Sequence, residues 1–464
     1  MKTRTKIRLV LFVLVALSVA ALAAAALRVG PAPALEVRPA HPAIGRSTAI
    51  SIEASEPSRG VSRVVVDLIQ NGHEIQLADE RGATLPGWKL FGFRDGKLVV
   101  GAEVGREKTE GLVEGTAMIR VTATGAPSWW RSGRTTRREV ELPVIFTPPS
   151  LQVTSIQTYV AQGGSEAVVY RVGPTAKRSG VRAGDLFFPG YPLPGGAAEE
   201  RFALFAAPWD LEDPDRIELV AEDEVGNERR VRFVDRFQRI EPHHDDIQIS
   251  DAFIDRVVPA ILEASPSFRA TGDRLQDFLT VNRDIRAANA RELAELGSRS
   301  TEAFLWKAPF LALPGGQVMS SFADRRTYYY GGREVDRQTH LGFDLASVSH
   351  ADVPASNGGL VVLAGYFGIY GNTVVVDHGY GLMSLYAHLS SIDVAKGDRV
   401  ERGTRLGQSG ATGLAGGDHL HFSFLLHGVP VRPIEWWDGH WIEDRLKRKL
   451  GNSLPFQAST GSSR

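Results

Sequence analysis

The chain opens on an uncharged, predominantly apolar run, LVLFVLVALSVAALAAAAL over residues 9–27, directly behind Lys2, Arg4, Lys6 and Arg8. Nineteen helical residues span about 28 Å, close to the hydrocarbon thickness of a bilayer. The basic flank keeps the N-terminus in the cytoplasm and sends the rest of the chain outward. The length fits an uncleaved anchor, expected over 1–30; ALAAAA offers the other reading, a cleaved signal peptide and a secreted product.

After a Pro- and Ala-rich linker at 28–45, the hydrophobic period becomes two. STAISIEA, SRVVVDLIQ, KLVVGAEV, TAMIRVTAT and RREVELPVIF alternate apolar and polar positions between Gly, Pro and polar turns, which predicts a β-sandwich over 34–147. LQVTSIQTYV, EAVVYRVG, RFALFAAP and RIELVAEDEVGNERRVRFVD predict a second over 148–240, the last with a turn at Gly226 and Asn227. LVAEDEVGN resembles the penultimate-strand signature of bacterial immunoglobulin-like domains. Over 247–306 the spacing becomes helical, in DAFIDRVVPAILEA and GDRLQDFLTVNRDIRAANARELAELG. Two or three helices are expected there as a connector, with Pro259 kinking or dividing the first. From 315 to 440 short strands return among dense glycine, predicting an all-β domain, and 441–464 reads as a tail. The fold class is therefore mainly β and multidomain.

Composition narrows the chemistry. Net charge is −1, so nothing points to nucleic acid. The absence of cysteine excludes disulfides, thiolate metal sites, a Cys nucleophile and a lipid-modified N-terminal Cys. Histidine is unevenly spread. His340, His350, His378, His388, His419, His421, His427 and His440 all fall in the last all-β stretch.

In GGDHLHF, an extended strand puts His419 and His421 on one face, and Leu420 and Phe422 on the other. HLGFDLA adds His340 and Asp344. Imidazole and carboxylate both suit zinc, so His340, Asp344 and one of the paired histidines make a three-ligand site with one open position. YAHLS adds His388. Two histidines remain for proton transfer and transition-state stabilisation, which suits their pKa near neutrality.

HxxxD, YAHLS and HLHF, in this order, resemble the lysostaphin-type zinc metallopeptidases of bacterial envelopes. The resemblance runs over roughly residues 315–438 and extends to the β-rich filling between the motifs and to GVPVRPIEWW. It implies zinc ligands at His340, Asp344 and His421, and acid–base catalysis by His419 and His388. It implies a zinc endopeptidase that cuts stem or cross-bridge peptides of peptidoglycan, held at the cytoplasmic membrane by the N-terminal helix, with the β-sandwich domains free to meet envelope proteins. The other class it implies is a non-catalytic peptidoglycan-binding activator of wall hydrolases; a complete ligand set favours the enzyme. Where many members have Pro before HLH, this chain has Asp418, which changes the local turn and no ligand. His243 and His244 in EPHHDD read as a solvated turn, His378 as structural or groove-lining, and His350, His427 and His440 as surface residues. Tyr328, Tyr329 and Tyr330 read equally as groove lining or as a half-buried strand.

Overall fold

The computed structural model of the chain describes residues 2–456, apart from 87, 88, 90, 91, 93–95 and 308. The expected tail is described as far as residue 456, and 457–464 lie outside the described residues. The architecture is mainly β with several sheets, as the alternation predicts. The chain forms two compact units, Met1–Pro149 with Glu222–Glu228, and Ser150–Ala221 with Arg229–Arg464.

In the first unit, helix α1 (Lys2–Ala26) contains the apolar run as far as Ala26. Seven strands follow: β1 (Ala34–Pro39), β2 (Thr48–Glu56), β3 (Val61–Gln70), β4 (His73–Arg81), β5 (Gly96–Val104), β6 (Gly115–Gly125) and β7 (Thr135–Val144). They form two sheets, ordered β1-β2-β5 and β4-β3-β6-β7. The alternate residues Ile50, Ile52 and Ala54 of β2, and Val64, Val66 and Leu68 of β3, belong to one buried apolar cluster with Ile119, Val121 and Ala123 of β6. Each fully buried Ile or Val contributes roughly 1.5–3 kcal/mol relative to exposure. The turn in AEDEVGN is the expected one: Asp223 Oδ1 accepts from Val225 N and Asn227 N, and Gly226 has φ +81°.

In the second unit, a sheet ordered Tyr191–Pro192, Glu200–Ala206, Ser165–Val172, Leu151–Val153 leads into the C-terminal part. EPHHDD is not a free turn. His244 begins β8 (His244–Ile249), which pairs in parallel with β9 (Asp324–Tyr330), and β9 pairs with β10 (Arg333–His340). Helix α2 (Asp251–Glu263), capped by Ser250, runs on through Pro259. Burial of Ile254, Val257, Val258, Ile261 and Leu262 offsets the one missing backbone bond. Helix α3 (Arg286–Ser298) continues from Arg274–Leu279 through a π-helical stretch.

The central element is an eight-stranded sheet. Its order is Gln317–Ser320, β11 (Phe343–Ala346), β14 (Leu420–Leu426), β13 (Leu382–Leu389), β12 (Asn372–Gly379), Gly359–Tyr366 and Arg399–Val400, with Val429–Val431 also paired to β14. Its inner strands β13 and β14 are buried along their whole length.

A polar contact is buried where the second-unit strands meet the turn after the last of these strands. Ser165 donates from its backbone N and its hydroxyl to Glu435 Oε2, at 2.8 and 3.1 Å, and Trp436 Nε1 donates to Ser165 Oγ. Burial pushes the Glu435 carboxyl up to about 7 and the neighbouring Glu166 up to about 6, although Glu166 pairs with Lys449 at 3.0 Å. The folded chain therefore binds more proton at Glu435 than the unfolded chain does, between the ordinary carboxyl range and about pH 7. Stability at this site is full below that window and falls as pH rises through it. Glu435→Gln keeps an acceptor for Ser165 and removes the titration. The melting temperature of this variant should fall less between pH 5 and pH 8 than that of the parent, and an unchanged slope would contradict the assignment.

Candidate metal centre

The register of the central sheet assembles the site. Asp344 on β11 lies directly opposite His421 on β14, and Ala387 on β13 lies opposite His421 on its other side. Residues directly opposed in an antiparallel pair share a face, with Cβ atoms about 4.5–5.5 Å apart. β10 ends at His340, which is four residues before Asp344 and reaches back to the same point. Gly342 lies between them because no side chain fits. A Cβ there would lie 2.7 Å from the His421 ring and 2.5 Å from Ser423 Oγ.

Three atoms converge. His340 Nε2 lies 3.0 Å from Asp344 Oδ1 and 3.0 Å from His421 Nδ1, and His421 Nδ1 lies 2.9 Å from Asp344 Oδ1. The outer nitrogen of each ring is already committed as a donor. His340 Nδ1 donates to Ser321 O at 2.9 Å. His421 Nε2 donates at 3.0 Å to Ser423 Oγ, whose own proton goes to Leu341 O. In the neutral rings both inner nitrogens therefore carry lone pairs, and all three facing atoms are acceptors. Facing acceptors call for a cation between them. Tetrahedral ligands bonded at about 2.0–2.1 Å lie roughly 3.3 Å apart, close to the observed spacing. Two imidazoles and a carboxylate fit zinc by donor type as well as by spacing.

The surroundings reinforce this polarity. Arg326 Nη2 donates to Asp344 Oδ2 at 2.7 Å, which leaves Oδ1 for the centre. Burial lowers His421 to about 4, so its ring stays neutral.

His388 and His419 stand beside the three. His419 Nε2 is 3.5 Å from Asp344 Oδ1, and its ring centroid is 4.9 Å from that of His388. His419 shares its face with His421, as strand alternation predicts. His388 reaches the site by a different route. Between the pairs Asn372–Leu389 and Val374–Tyr386, β13 spends two residues, Ala387 and His388, against one of β12. This β-bulge holds His388 at φ +63°, a left-handed conformation costly for a side chain of this size, and re-aims it. His388 Nδ1 donates to Thr412 O and His419 Nδ1 to Gly417 O, both at 2.8 Å, so that in the neutral ring each Nε2 is the acceptor. Burial, with His419 and His421 close by, pushes His388 well below its ordinary value. For His419 burial acts downward as well, but Asp344 outweighs it and the net shift is upward.

A cavity of about 340 Å³ opens over these residues. Ile247, Ile249 and Phe253 form one wall, so β8 and the start of α2 border the site. Arg256 on α2 donates to Ala415 O and Gly416 O, which ties the helix to the loop before His419. A second cavity, of about 730 Å³, also reaches His340 and His421 and is lined by Arg286, Arg325, Arg326 and Arg337. Asp418 anchors its loop: Ser409 Oγ, His350 N and Ser349 Oγ all donate to its carboxylate.

The remaining candidates fall elsewhere. His378 is buried, donating to Gly358 O and bonding Ser384 Oγ, a structural role. His427 is half-buried against Gly381 rather than on the surface, and burial lowers it to about 4. His350 and His440 are exposed. Tyr328 is buried and lines the cavity, while Tyr330 donates to Asp251 at the start of α2. His243, Asp245 and Asp324 also approach one another, with His243 exposed. Arg326 and β8 are the parts of the site that the sequence reading did not single out, and the helical stretch expected as a connector borders the site through Phe253 of α2. Arg326 carried one signal, its place on the same face of β9 as the buried Asp324 and Tyr328.

Residues 338–433 match Peptidase family M23. The C-terminal part of the chain is thus a lysostaphin-type M23 peptidase domain. The chain is 38% identical over 119 residues to the peptidoglycan DD-endopeptidase ShyA of Vibrio cholerae, covering 26% of this chain and 27% of that one. It is 40% identical over 95 residues to the DD-carboxypeptidase/endopeptidase Mpg of Neisseria gonorrhoeae, covering 20% and 22%. It is 29% identical over 139 residues to the murein hydrolase activator EnvC of Escherichia coli, covering 30% and 33%. The matched region thus spans a third or less of each of these relatives.

The tautomers are directly measurable. Nitrogen-15 spectra of metal-free protein should show His340 protonated at Nδ1 and His421 at Nε2. The reverse tautomer at either ring would place a proton inside the centre and contradict the three-acceptor description.

Proposed function

We propose that the chain is a zinc-dependent endopeptidase that hydrolyses peptide bonds in peptidoglycan. The observation that carries this reading is the convergence of three acceptor atoms at 2.9–3.0 Å, with the outer nitrogens of both rings tied to acceptors. His340, Asp344 and His421 hold the metal. When bound, zinc polarises a peptide carbonyl and makes water acidic enough to attack near neutral pH. Arg326 orients Asp344 and keeps its Oδ1 directed inward. His388 and His419, each fixed by a backbone carbonyl, present Nε2 to take the proton of the attacking water and pass it to the leaving amine. The arginine-lined second cavity suits a peptide rich in carboxylates. The basic flank and apolar length of α1 support a location on the outer side of the cytoplasmic membrane, anchored there or released if the segment is cleaved.

The likeness to EnvC favours a second reading, a non-catalytic activator of other wall hydrolases. Purified protein separates the two readings. The enzyme releases peptide-bond cleavage products from purified peptidoglycan by itself, and an activator releases none without a partner hydrolase.

Three substitutions measured together test the roles. His421→Ala should lose zinc, activity and the thermal stabilisation that zinc gives to the folded state. His388→Ala and His419→Ala should keep zinc while turnover falls by about 10²–10⁴-fold, the usual effect of removing a general acid or base. Zinc content, melting temperature and peptidoglycan hydrolysis are the readouts. Full zinc occupancy in His421→Ala would refute the ligand set, and full activity in all three would refute the peptidase.

A further inference from the structure

One end of the N-terminal unit carries an aromatic and basic tip that the peptidase chemistry does not use. Trp129 and Trp130 lie in the β6–β7 hairpin, stacked with centroids 5.8 Å apart, and are 59% and 66% exposed. Arg131 and Arg134 beside them are exposed too. The turn is braced. Ser128 N donates to Arg131 O, Arg131 N to Ser128 Oγ and Gly125 N to Arg134 O, while Ala126 N donates to Gly60 O on the neighbouring β2–β3 turn. The indoles are therefore presented on a fixed support, without a floppy loop to bury them.

The tip lies where the chain arrives from α1. Seven residues, 27–33, join α1 to β1, a reach of at most about 25 Å. Pro33 O accepts from Thr136 Oγ1 at 2.6 Å and Leu35 O from Arg138 Nη1 at 3.3 Å, so the entry of β1 lies against the start of β7, at the base of the hairpin. The β4–β5 connection leaves from the same end, where Leu85 N donates to Arg59 O.

We propose that this tip is a membrane-contact surface. Trp129 and Trp130 seat in the headgroup–acyl boundary of the bilayer that α1 enters, and Arg131 and Arg134 face anionic lipid. Tryptophan favours that boundary because its ring is apolar and its N–H needs a polar partner. Basic side chains are drawn to an anionic leaflet. The short tether makes the contact intramolecular in effect, so a weak contact is enough to hold the unit tip-down. A sugar ring also stacks on tryptophan, but a neutral sugar gives no reason for flanking arginines or for a place beside the tether. The proposal rests on α1 being embedded in the membrane, not on the peptidase reading.

The chain has no cysteine, so a single introduced one is a unique reporter. Full-length S132C carrying a nitroxide is reconstituted in phosphatidylcholine vesicles with and without phosphatidylglycerol, and collisions with oxygen and with a water-soluble nickel chelate are compared. L14C, within α1, is labelled in parallel to report whether the helix is embedded. In vesicles containing phosphatidylglycerol, the Ser132 label should be shielded from nickel. Adding W129A, W130A, R131A and R134A should raise its nickel collision rate several-fold, with the Leu14 label unchanged. A Ser132 label equally exposed to nickel in parent and variant, above an embedded Leu14 label, overturns the proposal. A water-exposed Leu14 label overturns the membrane premise and the proposal with it. Shielding that arises only on adding peptidoglycan glycan strands assigns the indoles to glycan and overturns it as well.

Discussion

Three acceptor atoms held within 3.0 Å of one another are the constraint around which the C-terminal part is organised. Without a positive charge between them they repel, and burial strengthens the repulsion because little water is present to screen it. The fold holds them there by occupying every outward alternative. Ser321 O and Ser423 Oγ take the ring protons, and Arg326 takes the second carboxylate oxygen. A rotation of any one ring would break a bond that is already made. A cation bound there would relieve a strain that exists only in the folded state, and so would stabilise the fold.

The backbone achieves this with few special residues. Cross-strand register alone places Asp344 beside His421, and strand alternation alone places His419 on the same face. Two local exceptions complete the site. Gly342 leaves room for the His421 ring, and the bulge at Ala387 and His388 brings a residue from the wrong face to the right one. Both exceptions carry a cost in an otherwise regular sheet, and both occur beside the candidate centre. A bulge with a left-handed histidine inside a strand buried along its whole length is hard to explain by packing, because a regular strand would bury as much apolar surface.

Period-two alternation made the strands legible, and the spacing of HxxxD and HxH made the centre legible, because both depend on residues close in sequence. Spacing left open which histidine of the HxH pair is the candidate ligand, and the resemblance implied His421. What stayed hidden was long-range. Arg326 looks like any strand arginine until β9 is placed beside the Gln317–Ser320 and β11 strands that it bonds. EPHHDD looks like a solvated turn because its polar residues conceal a strand whose pairing partner lies about eighty residues further on. His427 looks like a surface residue because what covers it, the turn at Gly381 and the rings of Phe188 and Tyr191, also lies far off in sequence. Periodicity says which side of an element is buried and nothing about the element that buries it.

The same limit governs the accessory strands of the second unit. Their alternation is that of a self-contained sandwich, yet their apolar residues belong to one continuous core with the peptidase sheet. Phe202 and Tyr191 each lie 4.9 Å, centroid to centroid, from Tyr380, in the turn between β12 and β13, and Phe304 lies 4.6 Å from it. At the other end of the same strands, buried Ser165 bonds Glu435 and Trp436. A spacer would present a polar surface to its neighbour and leave the catalytic sheet indifferent to its presence. Here the turn that follows β14 is packed against the accessory strands, and β14 carries His421. The accessory strands thus share one buried core with the sheet that carries the candidate centre.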